Sequence, residues 1–88
     1  MVSRTLIKKD SGTLTLFAFD EGEGLSEHST PHDALVEILE GTAEITVGGT
    51  PHQVSMGEGL LLPASVPHAL TAMTPFKMLL VMIKETVS

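Results

Sequence analysis

The chemistry open to this chain rests on three histidines, His28, His32 and His68, which stand among turn-forming glycines and prolines. Neutral imidazole suits iron, zinc, nickel or manganese, and three imidazoles completed by water or an oxygen ligand are chemically sufficient to hold a divalent ion. His28 and His32 are four positions apart, but Pro31 between them excludes a shared helical face. On a strand that runs into a turn they can still converge. His68 follows Pro67 and opens a strand, a rim position from which a side chain can enter a barrel mouth. Each histidine also has a metal-free reading: His28 as a loop residue beside Glu27, His32 bonded to Asp33, and His68 donating to a backbone carbonyl. His52, after Thr50 and Pro51, is expected on the surface of an outer strand.

The acids offer less. Glu37, Glu40 and Glu44 lie among strand residues, and if Ala34, Val36 and Ile38 look inward, Glu37 looks outward and cannot serve the histidines. Asp33 can reach an opening from the turn, and so can Gln53 if its strand inclines that way. Ser26, Ser29, Ser55 and Ser65 lack an elbow context or an acid–histidine relay, which excludes a nucleophilic triad. With no cysteine there is no disulfide, thiolate ligand or cysteine nucleophile.

The elements that must position these side chains are short strands. Thr13–Phe19 alternates and ends in the turn cluster from Asp20 to Gly24. Ala34–Glu40 is a strand closed by Gly41, and Ala43–Val47 alternates before Gly48-Gly49, a hairpin signal. Gln53–Met56, Leu60–Leu62, Ala69–Ala72 and Phe76–Ile83 follow, while the segment from Lys8 to Gly12 reads as a turn. The five prolines recur too often for a helix of ordinary length between Gly24 and Pro75. An all-β barrel, one domain over residues 1–88, is the expectation. Its five methionines read as packing residues.

Length and charge narrow the partners. A chain of this size buries only about 60% of the surface its unfolded form exposes. Eleven acids against five bases give a formal charge of −6, which disfavours a phosphate backbone, and no phosphate-binding loop is present. No nucleic-acid partner is expected. The apolar run Met78–Ile83 is far short of a membrane span, and the first ten residues do not resemble a secretory signal, so no membrane association and a cytoplasmic location are expected. Leu60–Leu62 and Met78–Ile83 lack the polar alternation of strands with one wet face. Their outer faces need cover, either from a homodimer packed sheet against sheet, which is the preferred expectation, or from the segment Val2–Ile7 of the same chain.

Over nearly its whole length the chain resembles a small single-domain cupin, a double-stranded β-helix or jelly-roll barrel with two motifs joined by a hairpin. The second motif is the stronger match: Gly57, five intervening residues, Pro63, then Ser65, Pro67 and His68. Glu58 and Ala72 stand where the family often has aspartate and asparagine. The first motif is recognisable from Gly24, His28 and the closing Gly41, and Gly48-Gly49 matches the turn between the motifs. In metal-bearing cupins the first motif contributes two histidines one residue apart and then an acid, which join the histidine of the second. Here His28 fits the first position, Thr30 stands in the second, and Ala34 falls where the acid belongs. The resemblance therefore implies a metal centre only if His32 substitutes through the Pro31 turn, giving His28, His32 and His68.

The fold does not choose a reaction. The leading expectation is a barrel that binds a small molecule or a divalent metal (iron, zinc, manganese or nickel) in its mouth, with a ligand lying among Val36, Ile38, Leu62 and His68. One alternative is a metal-dependent oxygenase or isomerase on the three-histidine centre, with His52 or Gln53 as remote substrate contacts. The other is a structural dimer with a vestigial pocket.

Overall fold

The structure is a computed structural model and describes residues 1–84; the last four residues of the expected domain lie outside the described residues. Nine strands make up the regular structure: β1 (Val2–Lys9), β2 (Gly12–Phe19), β3 (Gly24–His28), β4 (Asp33–Glu40), β5 (Thr42–Val47), β6 (Thr50–Ser55), β7 (Gly59–Leu62), β8 (His68–Ala72) and β9 (Phe76–Ile83). Among the described residues none is helical. The all-β expectation is met, and the expected strand boundaries hold to within a few residues. The exceptions are β3 and the N-terminal β1, since the sequence sets out no strand at either place. Strand β1 runs on to Lys9, so only Asp10 and Ser11 turn the chain.

A five-stranded sheet in the order β1-β2-β9-β4-β7 packs against a four-stranded sheet in the order β3-β8-β5-β6, and every pairing is antiparallel. Alternation explains the core. On β4, Ala34, Val36 and Ile38 are buried while Asp33, Leu35, Glu37 and Leu39 are exposed, the facing expected from the sequence. Opposite them on the second sheet, Ala43, Ile45, Leu70 and Ala72 close the interior. Near the end of the barrel formed by Phe19 and Phe76, these two rings pair across β2 and β9 and stack with centroids 4.6 Å apart. Such a pair adds about 0.5–1.5 kcal/mol beyond its area burial.

The segment Val2–Ile7 does not fold over the outer face of β9, as one expectation had it. It pairs with β2 at the sheet edge, and all eight residues of β1 are exposed. Its backbone donors and acceptors find a ladder there that a covering loop would lack. The outer face of the larger sheet is extended by this strand and left open.

Two glycine positions carry the chain between elements. Gly41 lies between β4, in one sheet, and β5, in the other, with φ of +79°. A Cβ there would collide with the Pro75 carbonyl oxygen and crowd the side chains of Phe76 and Thr74. Gly48 and Gly49 turn β5 into β6 with φ of +56° and +83°, the double positive φ of a type I′ hairpin. The Gly48 N–H also donates to the Pro67 carbonyl at 2.8 Å, which ties this hairpin to the residue preceding His68.

These environments differ enough to be measured. Gly41→Ala should destabilise by about 2–4 kcal/mol, because positive φ and a backbone collision act together. Gly49→Ala, with open space around its Cβ, should cost only about 1 kcal/mol. Urea denaturation of both variants checks the ranking, and equal costs would show that the collision at Gly41 is relieved by backbone movement.

Candidate functional site

The barrel mouth is built where β3 meets β8. His28 ends β3 and His68 opens β8, and the two residues are register partners across this pair. A register irregularity between Leu25 and His28 brings the His28 ring to the side occupied by His68. The Nε2 atoms are 3.2 Å apart, and the ring centroids are 4.4 Å apart with an interplanar angle of 71°.

What each ring does with its other nitrogen decides the chemistry. His28 Nδ1 lies 2.8 Å from the Ser26 carbonyl oxygen, and His68 Nδ1 lies 3.2 Å from the Val66 carbonyl oxygen. A carbonyl only accepts, so each Nδ1 carries the proton and donates. In the neutral rings each Nε2 then presents a lone pair, and the two lone pairs converge with no donor between them. Burial holds the His68 imidazole below its ordinary value of 6.5; the Val66 carbonyl opposes this shift and His28 reinforces it. Burial therefore makes His68 the poorer host for a proton, and the two converging Nε2 atoms form a donor pair open to another Lewis acid.

The two imidazoles open onto a cavity of about 50 Å³ whose wall includes Thr30, Ala34, Val36, Leu62, Met78 and Leu80. This volume holds an ion with a water or two, or a group of a few atoms. It falls well below the roughly 300 Å³ at which ordinary organic-ligand pockets begin. Of the residues expected around a ligand, Val36, Leu62 and His68 line the cavity, while Ile38 is buried in the core away from it. Met78 and Met82 line it too. Their spacing of four in a strand places both on one face, a period-two signal that the packing reading of the methionines passed over.

His32 does not join the pair. The Thr30 hydroxyl accepts from the His32 N–H at 3.0 Å and donates to the His32 carbonyl at 3.1 Å, a local turn that holds the backbone while the imidazole lines a separate depression with Pro31, Asp33, Ala64 and Ile83. Its Nδ1 is buried and unbonded. The three-histidine grouping expected from the sequence is thus two histidines plus a third on the other side of the turn. Asp33, another candidate for the opening, instead accepts from the Ala64 N–H at 2.7 Å. His52 and Gln53 are exposed on β6 and lie outside the cavity wall.

Thr30 and Ala34, the positions where the sequence resemblance located missing metal ligands, line the same cavity as His28 and His68. Among the described residues no group of three or more histidine, aspartate or glutamate side chains is placed to hold an ion. The donor set is two imidazoles. Their Nε2 separation of 3.2 Å fits two adjacent ligands of one ion, each at about 2.1 Å, so the residues present fit an open two-nitrogen site and not a four-ligand centre.

Comparison with known proteins supplies the family. The family model described as "Cupin domain" matches residues 15–83. The conserved SPY1581 protein of unknown function from Streptococcus pyogenes is 42% identical, with a TM-score of 0.93 over 98% of this chain and 75% of that one. The cupin superfamily protein DSY2733 from Desulfitobacterium hafniense is 32% identical, with a TM-score of 0.92 over 96% of this chain and 77% of that one. Protein SchB of Streptomyces halstedii is a curated relative, 30% identical over 69 residues. The match covers 77% of this chain and 50% of SchB, so the chain spans about half that relative's length.

The depressed pKa of His68 has a sign that can be tested on metal-free protein. Well above 6.5 the ring is neutral in both folded and unfolded chains and contributes no pH dependence. As pH falls below 6.5 the unfolded chain takes up the proton first, so stability drops until the folded ring titrates at its lower value. The urea midpoint should fall between pH 7.5 and 5.5, and His68→Gln should lose less over that interval. Identical slopes would remove His68 from the account.

Proposed function

The chain belongs to the cupin family, and from that premise we propose that its barrel mouth binds a small oxygen-bearing molecule through a divalent ion seated on His28 and His68. The observation that carries this reading is the convergence of two Nε2 lone pairs 3.2 Å apart, each ring oriented by an Nδ1–H bond to a backbone carbonyl. Such outer bonds fix the tautomer and raise the basicity of the ligating nitrogen. When bound, an ion of the zinc, nickel, iron or manganese class supplies Lewis acidity toward an oxygen of the ligand. Leu25, Val36, Leu62 and Leu80 exclude water from the apolar side of that ligand, and the cavity volume limits the part that enters to a few heavy atoms.

Two protein donors make the ion exchangeable. A full structural zinc site is worth about 10–16 kcal/mol, so half the donors leave about 5–8 kcal/mol, a Kd between about 1 and 200 µM. A second reading, metal-free binding of a small apolar group, is favoured by Thr30 and Ala34 in place of charged or imidazole donors.

Calorimetric titration with zinc and nickel at pH 7.5 separates the two. The metal reading expects binding in the stated range, weakened at least 10-fold in His28→Ala and in His68→Ala and unchanged in His52→Ala. Thr30→His, which adds an imidazole at the cavity wall, should tighten it about 10-fold or more. Wild-type protein that takes up neither ion at millimolar concentration sinks the metal reading and leaves the metal-free one.

A further inference from the structure

The methionines of this chain divide by position. Met1, Met56 and Met73 are 49%, 67% and 44% exposed, whereas Met78 is buried and both it and Met82 line the cavity beside His28 and His68. Thr30, the one hydroxyl in that wall, is engaged with the N–H and carbonyl of His32. Soft thioether sulfur and two converging imidazole nitrogens therefore share one small space. We infer that the site is built for a soft monovalent ion, copper(I), held by His28 Nε2, His68 Nε2 and the Met82 sulfur. The use of the histidine pair as metal donors rests on the function proposed above; the thioether decides which ion the pair holds best.

Register selects Met82 over Met78. Met82 is the partner of Ala34 at the start of β4, and Met78 is the partner of Ile38, four residues deeper. The chain passes from His28 through Thr30 into β4, and the Ser65 N–H ties Thr30 to the loop before His68 with a 2.7 Å bond. The imidazoles thus stand at the Ala34 end of the sheet. The Cα atoms of Met78 and Met82 are about 13 Å apart, while a methionine sulfur reaches only about 4 Å from its own Cα. Both sulfurs cannot ligate one ion, and Met82 is the one at the mouth. Ala34 puts only a methyl group beside it, so the unbranched Met82 side chain has room to turn inward.

The donor set favours one class of ion. Two bonds of about 2.1 Å from nitrogens 3.2 Å apart enclose an angle of about 100°, which leaves the other positions of the ion open to the cavity. Thioether ligands select copper(I) over harder ions. Charge points the same way. Among the described residues no carboxylate lines the cavity, and Asp33, beside Ala34 in the chain, is engaged with the Ala64 N–H. The cost of placing an ion among apolar groups rises with the square of its charge, so a monovalent ion costs about a quarter as much as a divalent one of equal radius. A divalent ion needs an anionic ligand alongside it there; copper(I) does not.

Anaerobic titration of the full chain with copper(I), competed against the chromogenic chelator bicinchoninate, tests the site, with zinc titrated in parallel. Copper(I) should bind at one equivalent and about 100-fold or more tightly than zinc. Its X-ray absorption fine structure, a readout that needs no variant, should contain one sulfur at about 2.3 Å. Met82→Leu, which conserves volume, should weaken copper(I) about 10-fold or more, remove the sulfur signal and leave zinc within about 2-fold. Met56→Leu, on the surface, should change neither ion. Copper(I) bound without a sulfur neighbour, or indifferent to Met82→Leu, overturns the inference. Zinc bound with copper(I) no tighter overturns it and leaves the proposed function standing. Copper(I) bound through Met82 with no zinc uptake sustains the inference and removes the divalent reading, and uptake of neither ion overturns both.

Discussion

Strands β4 and β9 lie side by side in the larger sheet, and their antiparallel register decides both of its faces at once. Inward, the pairs Ala34–Met82, Val36–Leu80 and Ile38–Met78 supply part of the core and much of the cavity wall. Outward, Leu35–Val81 and Glu37–Leu79 set the apolar surface and its acidic flank. Because side chains alternate with period two, a one-residue slip would put Glu37 in the core and Val36 in solvent. The cost of burying an unpaired carboxylate makes that slip prohibitive. The same register therefore maintains the site and the exposed face, although the two are chemically unrelated.

The second sheet and its loops supply the histidines, and their contribution is placement. Thr30 and Ser65 join the loops before β4 and β8 through the Ser65 N–H, which donates to the Thr30 carbonyl at 2.7 Å. Asp33 reinforces that junction through the Ala64 N–H, and Gly48 anchors the hairpin to Pro67. His28 and His68 thus project from backbone held on both sides. Their Nδ1–H bonds reach only two residues back, so ring orientation is set locally while ring proximity is set by the β3–β8 pairing. The small cavity beside them follows from alternation in β9, which puts Met78, Leu80 and Met82 on one side.

Much of this was legible in the chain itself. The strand succession, the Gly48-Gly49 hairpin, the closing Gly41 and the inward set Ala34, Val36 and Ile38 could all be read from period and punctuation. His28 and His68 were legible, together with His32, as candidate donors because each stands next to turn signals. His32 misled because spacing along the chain does not say which way a side chain leaves a turn; the Thr30 hydroxyl settles that by holding both backbone groups of His32. The N-terminal strand was underread for a related reason. Val2–Ile7 has no clean alternation, and its pairing depends on an open edge of β2 that no local pattern announces.

By itself, then, the sequence determined the all-β class, most of the strands with their two faces, and the identity of the donor groups, because these follow from covalent geometry, side-chain period and residue chemistry. It also marked Thr30 and Ala34 as the positions where ligands of the cupin pattern are absent. Only the tertiary structure decided that residues forty positions apart, His28 and His68, bring their Nε2 atoms to 3.2 Å, that His32 stays apart from them, and that five apolar side chains from five strands form one row. Those outcomes depend on long-range register, and register is set by the burial of the whole core and not by any residue's neighbours in the chain.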